Sequence, residues 1–299
     1  MKAEESQPLS IVHCPLSIGI SVIIPTRDRR ALLCALLCAL LDSLAREPGA
    51  RDDVEVIVVD EASCDGTAAA VTERHPWVRL EVGEKPMGPS AARNRAARLA
   101  RGRLLLFLDA DGEVAPGWLA AMLSADDGHT VLLGNVVDFV GGRVQSVPRR
   151  STFLGKSLRC RPERANAGPS CNLGVPKALF DALGGFDEEL PYYFEDSDLC
   201  IRAKRAGAKF RFVSAAEFRH HGSEVKRGEA IRLQEAHSVY AMMKGYEGDW
   251  VRMVTFTLGN GVWLLVRALS WSVTGRWGEV GLLARGWAEG NMRYFGPRL

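Results

Sequence analysis

A chain of 299 residues can bury one full hydrophobic core and still carry an appendage. Its 47% hydrophobic and 25% charged content excludes wholesale disorder, and a formal net charge of +2 gives no reason to expect a nucleic-acid partner. Seven scattered cysteines without a CxxC pair argue against a zinc ribbon or a disulfide framework and for a reducing compartment.

Residues 1–20 read as an N-terminal tail. They lack a basic start followed by a long apolar run, so no secretory signal is expected and a cytoplasmic location is. Residues 21–24 (SVII) form a short β-rich run that stops at Pro25-Thr26, and the Leu/Ala-rich stretch 29–46 predicts a helix. Residues 54–59 (VEVIVV) predict the next strand, ending in Asp60-Glu61. Ser63 to Thr67 then supply capping residues for a helix over 68–74. Residues 79–82 predict a third strand, Gly88-Pro89-Ser90 opens a helix to about residue 100, and 104–108 predict a fourth strand. Strand and helix alternating at this spacing predict βαβ units and a mostly parallel sheet.

In such sheets ligands collect beyond the carboxyl ends of the strands. Those ends here are Pro25-Thr26-Arg27-Asp28, Asp60-Glu61 and Asp109-Ala110-Asp111, three polar segments on one edge. Beyond residue 130 the pattern changes. Strands are predicted over 131–140 and 209–213, a loop-rich stretch over 141–169, a helix over 199–206, and helices from about 228 to the end.

Four clusters carry chemistry. Asp109 and Asp111 either make a turn, which Asp and Gly favour after strands, or bind Mg²⁺ or Mn²⁺, which takes one or two carboxylates plus substrate phosphates. Two further polar strand ends beside them favour the metal. Glu195, Asp196 and Asp198 either stabilise a helix dipole or supply a general base whose pKa crowding raises towards neutrality. Tyr192, Tyr193 and Phe194 before them are a substrate platform or core packing. His220-His221 can complete a manganese site, and Arg93 at a helix start can meet phosphate. Neither GxGxxG nor GxxxxGK[ST] is present. LFLDADGE also looks like the haloacid dehalogenase phosphatase motif, but that motif sits on a first strand and continues with Thr or Val, where this chain has Glu113.

Taken in order, SVIIPTRDR (21–29), VVDEASCDGT (58–67), GPSAARNRAARLARG (88–102), FLDADGE (107–113), GGFDEELPYYFEDSDLCIRAKRAG (184–207) and HHG (220–222) resemble the GT-A-fold glycosyltransferases of family 2. These are inverting enzymes that use nucleotide-diphosphate sugars, and the long ED segment looks most like their rhamnosyltransferase-like branch. The resemblance implies an α/β GT-A catalytic domain over 21–227, with a nucleotide-sugar half (21–115) and an acceptor half (116–227), followed by a helical region over 228–299. It implies Pro25, Thr26, Arg27, Asp60, Glu61, Arg93 and Asp109 around the nucleotide. Asp109 and Asp111 would hold Mn²⁺ or Mg²⁺ with His220 or His221. Asp196 would be the base beside Glu195, and Gly185, Phe186, Asp187 and Tyr193 would lie on the acceptor side. The alternatives are a metal-dependent phosphatase or phosphotransferase, a sugar-1-phosphate nucleotidyltransferase, and a non-catalytic sugar-nucleotide-binding subunit.

Residues 250–299 hold five of the seven tryptophans and six arginines against two glutamates. The longest uncharged run there, 253–266, is shorter than a spanning helix needs. Arg and Trp around an apolar face suit an interfacial helix on an anionic membrane, which would place the chain on the inner face of the cytoplasmic membrane with a lipid-linked, glycan or small-molecule acceptor. A helical pair packed on the catalytic domain, or on a second copy in a homodimer, is the other reading.

Overall fold

Strand β1 (Ile20–Thr26) is buried along its whole length, as befits the centre of a sheet covered on both faces. In this computed structural model, residues 18–47, 50–140, 143–145, 148–221 and 227–295 are described. Most of the expected N-terminal tail, the end of the expected catalytic domain at 222–226 with Gly222 of the HHG segment, and residues 296–299 of the expected helical region therefore lie outside the described residues. Ile20, assigned to the tail, already belongs to β1.

Helix α1 (Arg30–Arg46) buries Leu33, Leu36, Leu37, Leu40 and Leu44, a three-and-four spacing that lays one stripe on the sheet. A short α2 (Ala50–Asp53) leads into β2 (Val54–Asp60), then α3 (Thr67–Arg74), β3 (Arg79–Val82), α4 (Pro89–Leu99) and β4 (Leu104–Leu108). The four strands are parallel in the order β3-β2-β1-β4. The β1–β2 register sets Thr26 opposite Asp60, and the β1–β4 register sets Ile23 opposite Phe107. Thus Thr26, Asp60 and Asp109 finish on one edge, as the strand ends foretold.

The second half contains β5 (Gly112–Val114), α5 (Trp118–Ala125), β6 (Thr130–Val140), β7 (Arg143–Gln145), the hairpin β8 (Arg149–Ser151) and β9 (Ser157–Arg159), β10 (Asn172–Pro176), α6 (Lys177–Ala182), α7 (Glu195–Arg205) and β11 (Lys209–His220). Antiparallel β10 lies between β4 and β6, and β11 runs parallel to β6, so the sheet is mixed. Strand β10, the α5 and α6 helices and the β8–β9 hairpin were not legible in the sequence. NLGVP is too short to show a period although every one of its residues is buried. Helix α7 begins at Glu195 rather than 199, and β11 continues past Val213 through a register shift to His220. Asn172 fills the space at that shift, donating to the Ala216 carbonyl at 2.8 Å and accepting from the Trp118 indole at 2.9 Å.

The last part is α8 (Arg227–Gly245), α9 (Trp250–Val273) and α10 (Trp277–Phe295). Tyr240, Met243, Tyr246, Phe256 and Tyr294 form its apolar core together with Leu190, Phe194 and Ile201 from in and just before α7. The expectation that no segment here reaches spanning length needs correction. Helix α9 is continuous over 24 residues and, by length and composition alone, is long and apolar enough to cross a membrane. Counting only uncharged residues ended the run at Arg267, which the helix passes without a break.

Candidate active site

The three strand ends border a cleft of about 600 Å³. On one wall stand Asp109, Asp111 and His220, whose ligand atoms all lie within 4.8 Å of one another. Local folding brings them together. The turn after β4 feeds β5, and β5 pairs antiparallel with the end of β11, Gly112 opposite His220. The His221 backbone N–H donates to the Asp111 carbonyl at 2.9 Å and locks the register. Only glycine fits at 112, since a Cβ there would sit 2.3 Å from the Phe218 ring and 2.6 Å from the Arg219 carbonyl oxygen.

His220 Nε2 lies 3.2 Å from Asp111 Oδ1, and Arg29 Nη2 lies 3.8 Å from its Oδ2. Burial pushes the Asp111 carboxyl up, but His220 and Arg29 outweigh it and hold the group below the usual carboxylate range. His221, the other candidate ligand, is outside this cluster. Successive side chains of a strand point to opposite faces, and its Nε2 instead faces Glu113 at 3.6 Å.

The opposite wall carries Glu195 and Asp196 on the first turn of α7. Burial above all, then the neighbouring Asp196 carboxylate, pushes Glu195 up to about 8 against the pull of Arg93. Burial also raises Asp196, although the Ser197 N–H donates to its Oδ1. Asp196 is half-buried and lines the cleft.

Arg93 joins the two walls. Its side chain is only 3% exposed, and it donates to Asp109 Oδ1 at 2.6 Å and to Glu195 Oε1 at 3.4 Å. The guanidinium also lies over the Phe186 ring, 5.5 Å from its centroid. Arg93 therefore borders the cleft while its charge is already committed to the two acids.

At the ends of β1 and β2, Pro25, Thr26, Arg27 and Glu61 line the cleft. Glu61 Oε2 accepts from the backbone N–H groups of Met87 and Gly88, at 3.0 and 2.6 Å, and so fixes the entry to α4. Asp60 is fully buried and does not line the cleft, although one of its oxygens has no hydrogen-bond partner. The buried Thr26 hydroxyl beside it is also unpartnered.

Tyr193 lines the cleft and adopts a φ of 58°, with Phe194 at 78°. Bulky residues in this region carry strain of about 1–3 kcal/mol each. His237 of α8 restrains the turn, its Nδ1–H donating to the Tyr192 and Tyr193 carbonyls at 2.6 and 3.0 Å. Gly185, Phe186 and Asp187, expected on the acceptor side, do not line the cleft. Gly185 has a φ of 77° and leaves no room for a Cβ, which would lie 2.5 Å from Asn94 Oδ1. Phe186 is buried against Phe107 and Phe180, and Asp187 pairs with Lys244 at 2.6 Å. These three residues brace α4 and α8 beneath the site.

The sequence did not mark Arg29, Ser170 or Cys171, all of which line the cleft. Ser170 donates to Glu195 Oε1 at 3.4 Å from the loop before β10. No motif marks that loop, and only the position of β10 next to β4 brings it here.

Residues 21–179 match Glycosyl transferase family 2. The chain belongs to that family. It is 43% identical over 209 residues to the succinoglycan biosynthesis protein ExoO of Rhizobium meliloti, covering 63% of this chain and 58% of that one. It is 27% identical over 238 residues to the N-acetylglucosaminyl-diphospho-decaprenol L-rhamnosyltransferase of Mycobacterium tuberculosis, covering 67% and 77%. Against other curated relatives the chain spans only 24%, 20% and 28% of their length. Among solved structures, the mannosyltransferase PcManGT of Pyrobaculum calidifontis, in complex with GDP-Man and Mn²⁺, superposes with a TM-score of 0.60 at 18% identity, covering 96% and 91% of the two chains. The S. aureus TarS fragment in complex with UDP-GlcNAc gives 0.55 at 23% identity, covering 92% and 89%. The family-2 chain thus has the GT-A fold with three helices after it.

Proposed function

We propose that this family-2 chain is an inverting glycosyltransferase that moves a sugar from a nucleoside-diphosphate donor to an acceptor hydroxyl. One observation carries the reading: a single cleft with a carboxylate–carboxylate–imidazole set on one wall and the acid pair Glu195–Asp196 on the other. The first set fits a divalent cation. Two carboxylate oxygens and one imidazole nitrogen lie within 4.8 Å of one another beside the cleft, and such a mixed set suits Mn²⁺ better than Mg²⁺. A cation held by Asp109, Asp111 and His220 would neutralise charge on the departing diphosphate.

The chain's own residues do the rest. Thr26, Arg27 and Glu61 border the nucleoside. Arg93 holds Asp109 in place on one side and Glu195 on the other. Asp196 takes the proton of the acceptor hydroxyl as it attacks the anomeric carbon, and one in-line displacement inverts that centre. A proton on Glu195 at neutral pH spares Asp196 a second negative charge at its side. A phosphatase of haloacid dehalogenase type would need Asp109 free to attack phosphorus, whereas Arg93 holds its Oδ1. The relatives in succinoglycan and O-antigen biosynthesis favour a growing glycan as acceptor.

Thermal unfolding with UDP, GDP, dTDP and CDP, each with and without Mn²⁺, tests the donor site. A nucleotide at ~100 times its Kd adds about 2.7 kcal/mol, a rise of roughly 5–10 °C. One nucleotide should give this shift only with Mn²⁺. The absence of a shift with all four would overturn the reading.

We further propose that α9 rests on an anionic lipid surface at the cytoplasmic face of a membrane. Val254, Leu258, Val262, Leu265, Leu269 and Val273 form an exposed stripe at three-and-four spacing, with exposed Trp250 and Trp277 at its ends. The excess of arginine over glutamate in this region complements such a surface. Crossing the bilayer is disfavoured because the opposite face of α9 packs on the protein through buried Phe256, Asn260 and Trp271. Leu258→Glu with Leu265→Glu should abolish flotation with phosphatidylglycerol vesicles while the melting temperature stays within a few degrees. A wild-type chain that never floats, or a variant that floats equally, contradicts the proposal.

A further inference from the structure

A second cavity, of about 310 Å³, lies behind the acid pair. The turn that carries the pair is the wall between the two spaces. Tyr193, Glu195 and Asp196 line the donor cleft, whereas Phe194 and Ser197 line the second cavity.

Three cations face this cavity, Arg149, Lys156 and Arg267, against one carboxylate, Glu235. Glu235 is fully engaged. Lys156 donates to both its oxygens at 3.0 and 2.9 Å, and Asn260 to Oε1 at 3.4 Å. The two arginines have no carboxylate partner among the described residues. Among the described residues the Arg149 side chain donates only to Ser157, at its hydroxyl (2.8 Å) and its carbonyl (3.2 Å). Arg267 stacks on Trp263 and Trp271 at 4.8 and 4.5 Å. Stacking fixes the plane of a guanidinium but leaves its N–H groups free for a bidentate anion. Three positive charges against one negative leave an excess of two, facing a concave, partly desolvated space. A phosphate fits that charge and that donor geometry.

The surroundings indicate what the phosphate belongs to. Trp263 stands among the cations, with Lys156 3.9 Å and Arg267 4.8 Å from its centroid, and Leu158, Ile231 and Leu283 supply apolar wall. Trp263 and Arg267 are carried by α9, whose far side is the exposed apolar stripe.

Building on the transferase reading above, we propose that the second cavity binds the phosphate of a phosphate-bearing acceptor, across the turn from Asp196. The phosphate chemistry is common to a lipid-linked sugar diphosphate and a soluble sugar phosphate.

Calorimetric titration of the full chain with inorganic pyrophosphate, in EDTA, tests the cavity apart from the donor cleft's metal. Saturable binding is expected, weakened at least fivefold by Arg149→Gln and by Arg267→Gln and unchanged by Arg79→Gln on the distant edge strand. Arg267→Lys keeps the charge and should recover part of the affinity, which guards against a fold defect. No saturable binding, or equal affinity in wild type and both glutamine variants, overturns the proposal. In a second arm, dodecyl phosphate binding more tightly than methyl phosphate identifies a lipid-linked acceptor, and equal affinity a soluble one. The nucleotide melting shift is read independently. Its failure with pyrophosphate binding intact sinks the transferase reading alone, and the reverse pattern sinks only this proposal.

Discussion

Asp196→Asn is expected to lower sugar transfer by about 10²–10⁴-fold, the usual contribution of a positioned general base. The amide is nearly isosteric, and its oxygen can still accept from the Ser197 N–H that pins Asp196 Oδ1, so the turn should keep its shape. Asp196 also stands on the wall opposite the metal set, so the metal-dependent nucleotide shift should survive. Product formation over time, measured alongside that shift, separates the two effects. Transfer within threefold of wild type would remove Asp196 from the mechanism and pass its role to another group in the cleft.

Arg93→Met is expected to cost stability as well as activity. The methionine fills much of the same volume but leaves Asp109 and Glu195 facing each other without the cation between them. Removing one partner of a buried ionic network typically costs about 3–5 kcal/mol. For a chain of this size that is a fall of roughly 6–20 °C in Tm. Glu195, already pushed up to about 8 mainly by burial, can relieve part of the strain by staying protonated. The loss should therefore lie at the low end near pH 6 and grow as pH rises past 8. Urea unfolding at both pH values measures it, and a loss below about 1 kcal/mol at each would show that the bridge is not a structural tie.

The legibility of this site follows from its construction. Parallel strands end on a common edge, so polar residues directly after apolar runs can be assigned to one place without coordinates. Asp109, Glu61 and Thr26 were reached that way, as was the family resemblance that ordered the rest. The pairing of β5 with β11 is different. It joins residues over a hundred positions apart, and only it decides that His220 rather than His221 stands by Asp111. Gly185, Phe186 and Asp187 do not line the cleft, because a motif fixes a place in the chain, not the direction in which side chains point. Their neighbours show support from below, through Asn94 and the Phe107–Phe180 ring pair. The second cavity left no mark in the sequence. Its cations come from a hairpin and from a helix over a hundred residues further on, and neither segment shows a basic run.

The central claim is that Asp109, Asp111 and His220 hold a divalent cation for a nucleoside-diphosphate donor. Its most direct test is Mn²⁺ binding followed by electron paramagnetic resonance, with and without the nucleotide that raises Tm. The account predicts one Mn²⁺ per wild-type chain, bound at least tenfold more tightly with nucleotide present, and lost in both Asp111→Ala and His220→Ala. Undiminished Mn²⁺ binding in both variants, or none in the wild type with any nucleotide, would contradict it.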